Sequence, residues 1–250
     1  MHRVRWTIAA SLLALTACSK LDSITGLSAS RAAAVAPLHD PILFVHGWNS
    51  NASTWNTMVS RFKADGWTSA ELATWSYDYT KSNATTAGII SRMVDSILTA
   101  TGASRVDIVT HSMGTLSARY YIKYLGGAAK VGSFVSLGGT NHGTNTAFFC
   151  LQTSCREMWP GSSYLNSLNA GDETWGAPRY ATWWSPCDEV ILPQKSEQLS
   201  AGPSGTVTNT QTACISHERL HEDFTVYTQV RSFLYPTLLA SVARTEATAE

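Results

Sequence analysis

The chain has 250 residues, 44% of them hydrophobic and 14% charged, with 18 Lys and Arg balanced by 18 Asp and Glu. A length of this order suits one domain, because an α/β fold of this size uses a single core. The balanced charge excludes the basic footprint of a nucleic-acid binder and gives no reason to expect a strongly charged substrate.

Residues 1–17 have the pattern of an export signal: Arg3 and Arg5 precede an apolar stretch over residues 6–17 that is too short to stay in a bilayer. Its removal leaves 16 basic against 18 acidic residues, a net charge of −2. Leu15-Thr-Ala-Cys18 resembles a bacterial lipobox, in which the cysteine thiol receives a diacylglyceryl group. An ordinary signal peptide that contains a cysteine is the alternative. Residues 18–40, rich in Ser and Ala, then form a lipidated terminus and tether, which places the protein in the cell envelope, or secreted if the lipobox is unused.

The domain is expected over residues 41–237. A short apolar strand ends at Val45, and residues 53–65 carry Trp55, Met58, Val59 and Phe62 at helical spacing, stopped by Gly66. A strand over 72–77 precedes a helix over 85–101 whose Ile89, Ile90, Met93, Val94, Ile97 and Leu98 share a face, closed by Gly102. A strand over 105–109 leads directly into a helix over 112–125, ended by Gly126-Gly127, and a further strand covers 131–137. Residues 138–178 have few periodic apolar positions and are expected to form a short cap or flexible rim, a minimal lid. A strand over 180–185, a polar connection with a strand near 200–212, and a helix over 225–234 complete the domain; 238–250 is a tail. Alternating strands and helices imply a mostly parallel central sheet flanked by helices, with the site at the carboxyl ends of the strands.

The tight passage from strand to helix at Thr110-His-Ser-Met-Gly114 has the form of a nucleophile elbow, with Ser112 lifted clear of the sheet at a helix N-terminus. Gly114 fits the G-x-S-x-G pattern, whereas Thr110 replaces its first glycine. A helix N-cap serine is the plain alternative, but it does not account for the His-Gly turn at the end of the first strand. Downstream lie Asp188, after the strand over 180–185, and His217, before the last helix; nucleophile, acid, base is the chain order of α/β-hydrolases. Glu189 and Asp172 compete with Asp188 for the acid. A serine hydroxyl needs an imidazole to take its proton, and the imidazole needs a carboxylate to set its tautomer, so these three residue types in this order point to acyl transfer.

Pro41–Trp48, Thr110–Gly114, Ser136-Leu-Gly-Gly-Thr-Asn-His-Gly143 and Trp184-Ser-Pro-Cys-Asp-Glu189 together resemble the secreted bacterial lipases called lipase class 2, over residues 41 to 235. That family includes small, nearly lidless members whose elbow also lacks the first glycine. The resemblance implies an α/β-hydrolase fold, with Ser112 as nucleophile, Asp188 as acid, His217 as base, and the backbone amides of Trp48 and Met113 as oxyanion donors. It implies a serine ester hydrolase acting on small-molecule or lipid esters with apolar acyl chains, without a cofactor. A polyester depolymerase or acyltransferase with the same triad is an alternative, and a non-catalytic surface binding module a remote one. The chain is expected to act as a monomer, without nucleic acid, and to meet the membrane through its lipid anchor.

Other histidines have plainer readings. His46 is expected to bond backbone beneath the oxyanion turn, His111 to point away from Ser112, and His142 to be a loop residue. His217-Glu-Arg-Leu-His221 matches H-E-x-x-H, which on a helix would hold zinc with Glu218 as base. Only 29 residues follow His221, leaving little chain for a third ligand, so no metal is expected. His221 is expected one turn inside the final helix, packed against the sheet edge. Trp183 and Trp184 read as core and rim aromatics. Five cysteines are odd in number; lipid on Cys18 leaves four, which allow three pairings. Cys150 is close to Cys155, Cys187 precedes the acid and Cys214 lies three residues before the base, so the expected bridges are Cys150–Cys155 and Cys187–Cys214.

Overall fold

The computed structural model describes residues 39–236. The export signal, Cys18, most of the tether and the C-terminal tail lie outside the described residues. Six strands form one sheet in the order β2-β1-β3-β4-β5-β6, and every neighbouring pair is parallel. The strands are β1 (Ile42–Val45), β2 (Leu72–Thr74), β3 (Val106–His111), β4 (Val131–Leu137), β5 (Arg179–Trp184) and β6 (Val207–Gln211). Between and after them run helices α1 (Asn56–Ala64), α2 (Asn83–Thr101), α3 (Gly114–Tyr124), α4 (Thr153–Glu157), α5 (Ser163–Asn169) and α6 (Phe224–Leu234).

Period-two alternation builds the core on both faces of the sheet. Ile42 and Phe44 of β1 point to one face, with Trp55, Met58 and Phe62 from the α1 region and Val226, Tyr227 and Val230 of α6. Leu43 and Val45 point to the other, against Ala87, Ile90 and Val94 of α2 and Ala118, Tyr121 and Ile122 of α3. Each such side chain contributes roughly 1.5–3 kcal/mol when taken from water; β1 is apolar throughout, and β3 is buried along its whole length although it carries Asp107, Thr110 and His111. Helix entries are set locally. The Ser82 side chain accepts from the Ala84 amide at the start of α2, and Asp223 accepts from the Val226 amide at the start of α6.

The structure moves several boundaries. β3 continues past Val109 to His111, because the ladder with β4 persists through Thr110–Ser136 and His111–Leu137. β2 stops at Thr74 rather than 77: as an edge strand it pairs with only three residues of β1, and Tyr77 turns to stack on His46. Within 138–178 the chain forms a 3-10 turn at Asn145–Phe149 and the short helices α4 and α5, each too brief to leave a periodic signature. This cap packs Ala147, Cys155, Met158, Leu165 and Leu168 onto Met113 and Leu116.

β1 and β3 are adjacent, while β2 and β4 follow them on opposite sides. The direction in which strands are added across the sheet therefore reverses between β1 and β3, opening a crevice at their carboxyl ends where an α/β sheet binds ligands. No helix among the described residues is long and apolar enough to cross a membrane.

Candidate active site

Ser112 occupies the turn between β3 and α3 with φ of 54°, in the left-handed region that a non-glycine residue adopts only at a cost of about 1–2 kcal/mol. The surroundings enforce it. The Ser112 amide donates to the Leu137 carbonyl at 3.0 Å. A Cβ on Gly114 would sit 2.4 Å from the His46 oxygen and 2.6 Å from that of Val45, so this position admits no side chain. A Cβ on Gly47 would meet the Ser112 Cβ at 2.8 Å, which shows how closely the loop after β1 is pressed against the elbow. Thr110 is accommodated where the G-x-S-x-G pattern has its first glycine: its Oγ1 donates to the Val135 carbonyl and bonds Thr115 Oγ1, both at 2.8 Å.

Neither the Trp48 amide nor the Met113 amide donates to an acceptor among the described residues, and Trp48 and Ser112 line one cavity. The Trp48 indole donates to Gln152 Oε1 at 2.7 Å, tying the loop after β1 to the cap. His46 lies beneath this turn, bonding the Gly47 carbonyl through Nδ1 at 2.8 Å and stacking on Tyr77. Burial lowers its pKa, so it stays neutral there.

Asp188 and His217 meet from the loops after β5 and β6. His217 Nδ1 donates to Asp188 Oδ2 at 2.6 Å, while Asp188 Oδ1 accepts from the Val190 and Ile191 amides at 2.8 and 2.7 Å. A carboxylate so bonded holds the imidazole in the tautomer that leaves Nε2 free to accept a proton. The two loops are bridged by Cys187–Cys214, with Cα atoms 5.0 Å apart, and by Ser185, whose Oγ accepts from the Ile215 amide and donates to the Ile215 carbonyl. The rival acids serve the backbone: Glu189 Oε2 accepts from the His217 amide at 3.1 Å, and Asp172 accepts from the amides of Thr174 and Ser204.

Two side chains at this centre have partners that the sequence did not signal. His111 points away from Ser112 as expected, but its Nε2 donates to the His217 carbonyl at 3.1 Å and its ring lies 4.6 Å from that of His217. Strand parity shows its direction and cannot show what lies there. Glu197, in the Gln194–Glu197 turn, is fully buried next to Asp188, although Gln194-Lys-Ser-Glu197 reads as solvated surface.

His221 precedes α6 instead of lying inside it. The segment His217–Arg219 is a 3-10 turn and α6 begins at Phe224, so the two imidazoles of the H-E-x-x-H pattern do not share a helix face. His221 packs edge-on to His111, near Trp55, and burial lowers its pKa to about 4. No cluster of three or more metal-ligating side chains occurs among the described residues. His142 bonds Glu173 Oε1 at 2.9 Å, and Trp183 is buried with its indole donating to Gln229.

Ser112 and His217 open into a cavity of about 530 Å³ whose apolar wall includes Ala147, Phe149, Met158, Val190 and Ile191. The Cys150–Cys155 bridge forms part of that wall. Such a site can present a hydroxyl, an imidazole and free amides to one carbonyl carbon while receiving an apolar chain.

A family model described as Lipase (class 2) matches residues 39–233. Among solved structures, the mature form of a Bacillus licheniformis lipase is similar with a TM-score of 0.68 and 15% identity, covering 79% of this chain and 93% of that one. A Listeria innocua gene product has a TM-score of 0.63 and 14% identity, covering 79% and 94%. Aspergillus fumigatus lipase B has a TM-score of 0.62 and 16% identity, covering 75% of this chain and 52% of that one.

Proposed function

The chain belongs to the Lipase (class 2) family, and from that premise we propose that it is a serine hydrolase of carboxylic esters with apolar acyl chains, with Ser112, His217 and Asp188 as its triad. The observation that carries this is the 2.6 Å bond from His217 Nδ1 to Asp188 beside a serine held at φ of 54°. Ser112 Oγ attacks the ester carbonyl while His217 Nε2 takes its proton, and Asp188 stabilises the imidazolium. The Trp48 and Met113 amides receive the oxyanion, each worth about 2.7–4 kcal/mol when such a donor is well placed. His217 returns the proton to the leaving alkoxide, releasing the alcohol and leaving an acyl-enzyme. Water attacks that ester with the same imidazole as base, freeing the acid and Ser112.

The apolar wall selects the acyl side of the substrate. The two disulfides fit an oxidising compartment outside the cytoplasm, in keeping with export and lipidation at Cys18. Hydrolysis of p-nitrophenyl butyrate tests the reading: wild type turns it over, and Ser112→Ala lowers kcat by about a thousandfold or more. A wild type inert towards p-nitrophenyl butyrate and its shorter and longer acyl homologues, or an active Ser112→Ala, would overturn it.

A further inference from the structure

A second carboxyl stands behind the Asp188 carboxylate. Glu197 is fully buried, and neither of its side-chain oxygens has a hydrogen-bond partner of ordinary geometry among the described residues. Its carboxyl lies against the Asp188 carboxyl and the Ser185 backbone, and no cationic side chain acts on it. The turn that carries it is tied down on two sides. Gln194 Nε2 donates to the Asp188 carbonyl at 2.9 Å, and Asn141 Nδ2 donates to the Glu197 carbonyl at 2.6 Å.

Two adjacent buried carboxyls without a cation cannot both ionise. Asp188 has two backbone amides and an imidazole N–H to stabilise its charge, whereas Glu197 has only the Ser185 backbone against it, so the proton resides on Glu197. Burial first, and the charge of Asp188 second, push the Glu197 pKa up to about 10. A protonated carboxyl is a donor, and the acceptor beside it is Asp188.

We propose that Glu197 is a positioning residue of this hydrolase: a neutral carboxylic acid that donates to Asp188, keeps that carboxylate turned towards His217 and moderates its pull on the imidazolium. This rests on the serine-hydrolase reading of the site. Loss of the donor leaves Asp188 looser and its negative charge less offset by hydrogen bonds. The first effect lowers kcat without touching substrate binding, and the second stabilises the imidazolium and raises the pH at which kcat falls on the acid side.

The test compares wild type with Glu197→Gln and Glu197→Leu, using kcat and KM on p-nitrophenyl butyrate from pH 5 to 9 alongside melting temperature. Glutamine is neutral and keeps a donor, so kcat stays within about threefold and the acid limb does not move. Leucine removes the donor, so kcat falls about tenfold with KM unchanged and the acid limb rises by roughly half a unit. A downward shift in Glu197→Gln would mean that an ionised Glu197 had been removed, and would overturn the proposal. So would a Gln variant as impaired as Leu, or a Leu variant with wild-type kcat and acid limb. If Glu197→Leu does not fold, Glu197→Gln alone still decides through its acid limb. Ser112→Ala in the same assay separates the two readings: an active Ser112→Ala sinks the hydrolase reading, while an inactive one beside wild-type-like Glu197 variants sinks only this one.

Discussion

At the scale of single residues, the two histidines four apart near the C-terminus have opposite environments. His217 is bonded to Asp188 at the cavity, whereas His221 is packed between aromatic rings with Nδ1 unpartnered. His217→Ala is therefore expected to lower kcat by about a thousandfold or more, comparably with Ser112→Ala, because triad members act as a unit. His221→Ala is expected to act through packing, at about 1–3 kcal/mol of stability, with kcat nearly kept and chelators without effect on either variant. Kinetics of both variants with and without EDTA check this; equal loss at both with chelator sensitivity would restore the zinc reading. Ser112 was legible because a side chain is excluded at Gly114, two residues into the tight turn, a demand written in local sequence. Glu197 was not legible, because a glutamate in a polar tetrapeptide looks solvated until another loop covers it.

At the scale of elements, the loops after β5 and β6 hold Asp188 and His217, the proposed acid and base, and are joined by Cys187–Cys214 across 27 residues. Constraint of that loop in the unfolded chain is worth about 3–4 kcal/mol by the chain-entropy model. The double variant Cys187→Ser, Cys214→Ser should melt lower and lose kcat more than KM, since the bridge also sets the approach of Asp188 to His217. A non-reduced peptide map checks the linkage itself: a Cys187 that alkylates without reduction removes the basis of this prediction. The opposite end of β3 governs stability instead. Asp107 is fully buried there, and its pKa is raised to about 7, by burial first and by Asp40 second. A carboxyl with a raised folded pKa stabilises fully below its unfolded value, near 4, and that contribution is lost as pH rises to about 7. Asp107→Asn should thus gain melting temperature over wild type progressively from pH 4 to 7 and hold the gain above, on the order of 4 kcal/mol at most, with kcat unchanged. A pH-independent difference in melting temperature would contradict this.

At the scale of the whole molecule, a cap with two short helices packs on α3 through one apolar cluster and lines the cavity that holds Ser112 and His217. The cavity already reaches Ser112 and His217 with the cap in place. Rates on p-nitrophenyl esters of increasing acyl length, beside an emulsified triglyceride, should favour short and medium chains and show no jump when substrate passes its solubility limit. A sharp interfacial rise would show that the cap must move first. Attachment to the membrane is expected to lie entirely in Cys18. A Cys18→Ser chain should leave the membrane fraction and stay fully active, whereas mass spectrometry of an unmodified mature N-terminus elsewhere would remove the anchor.

The sequence by itself determined the alternation of strands and helices, the elbow, and the order of Ser112, Asp188 and His217. Each of these is imposed by short-range rules: side-chain period, turn sterics at Gly114, and the sequence of loops along a parallel sheet. It did not determine the two cap helices, the end of β2, or the place of His221, because runs of five to seven residues carry no reliable period and an edge strand ends where its partner does. Only the tertiary structure assigned Glu189 to the His217 amide and Glu197 to the back of Asp188. A carboxylate's role depends on which distant loop covers it and which charge it meets there, and neither is encoded in its neighbours along the chain.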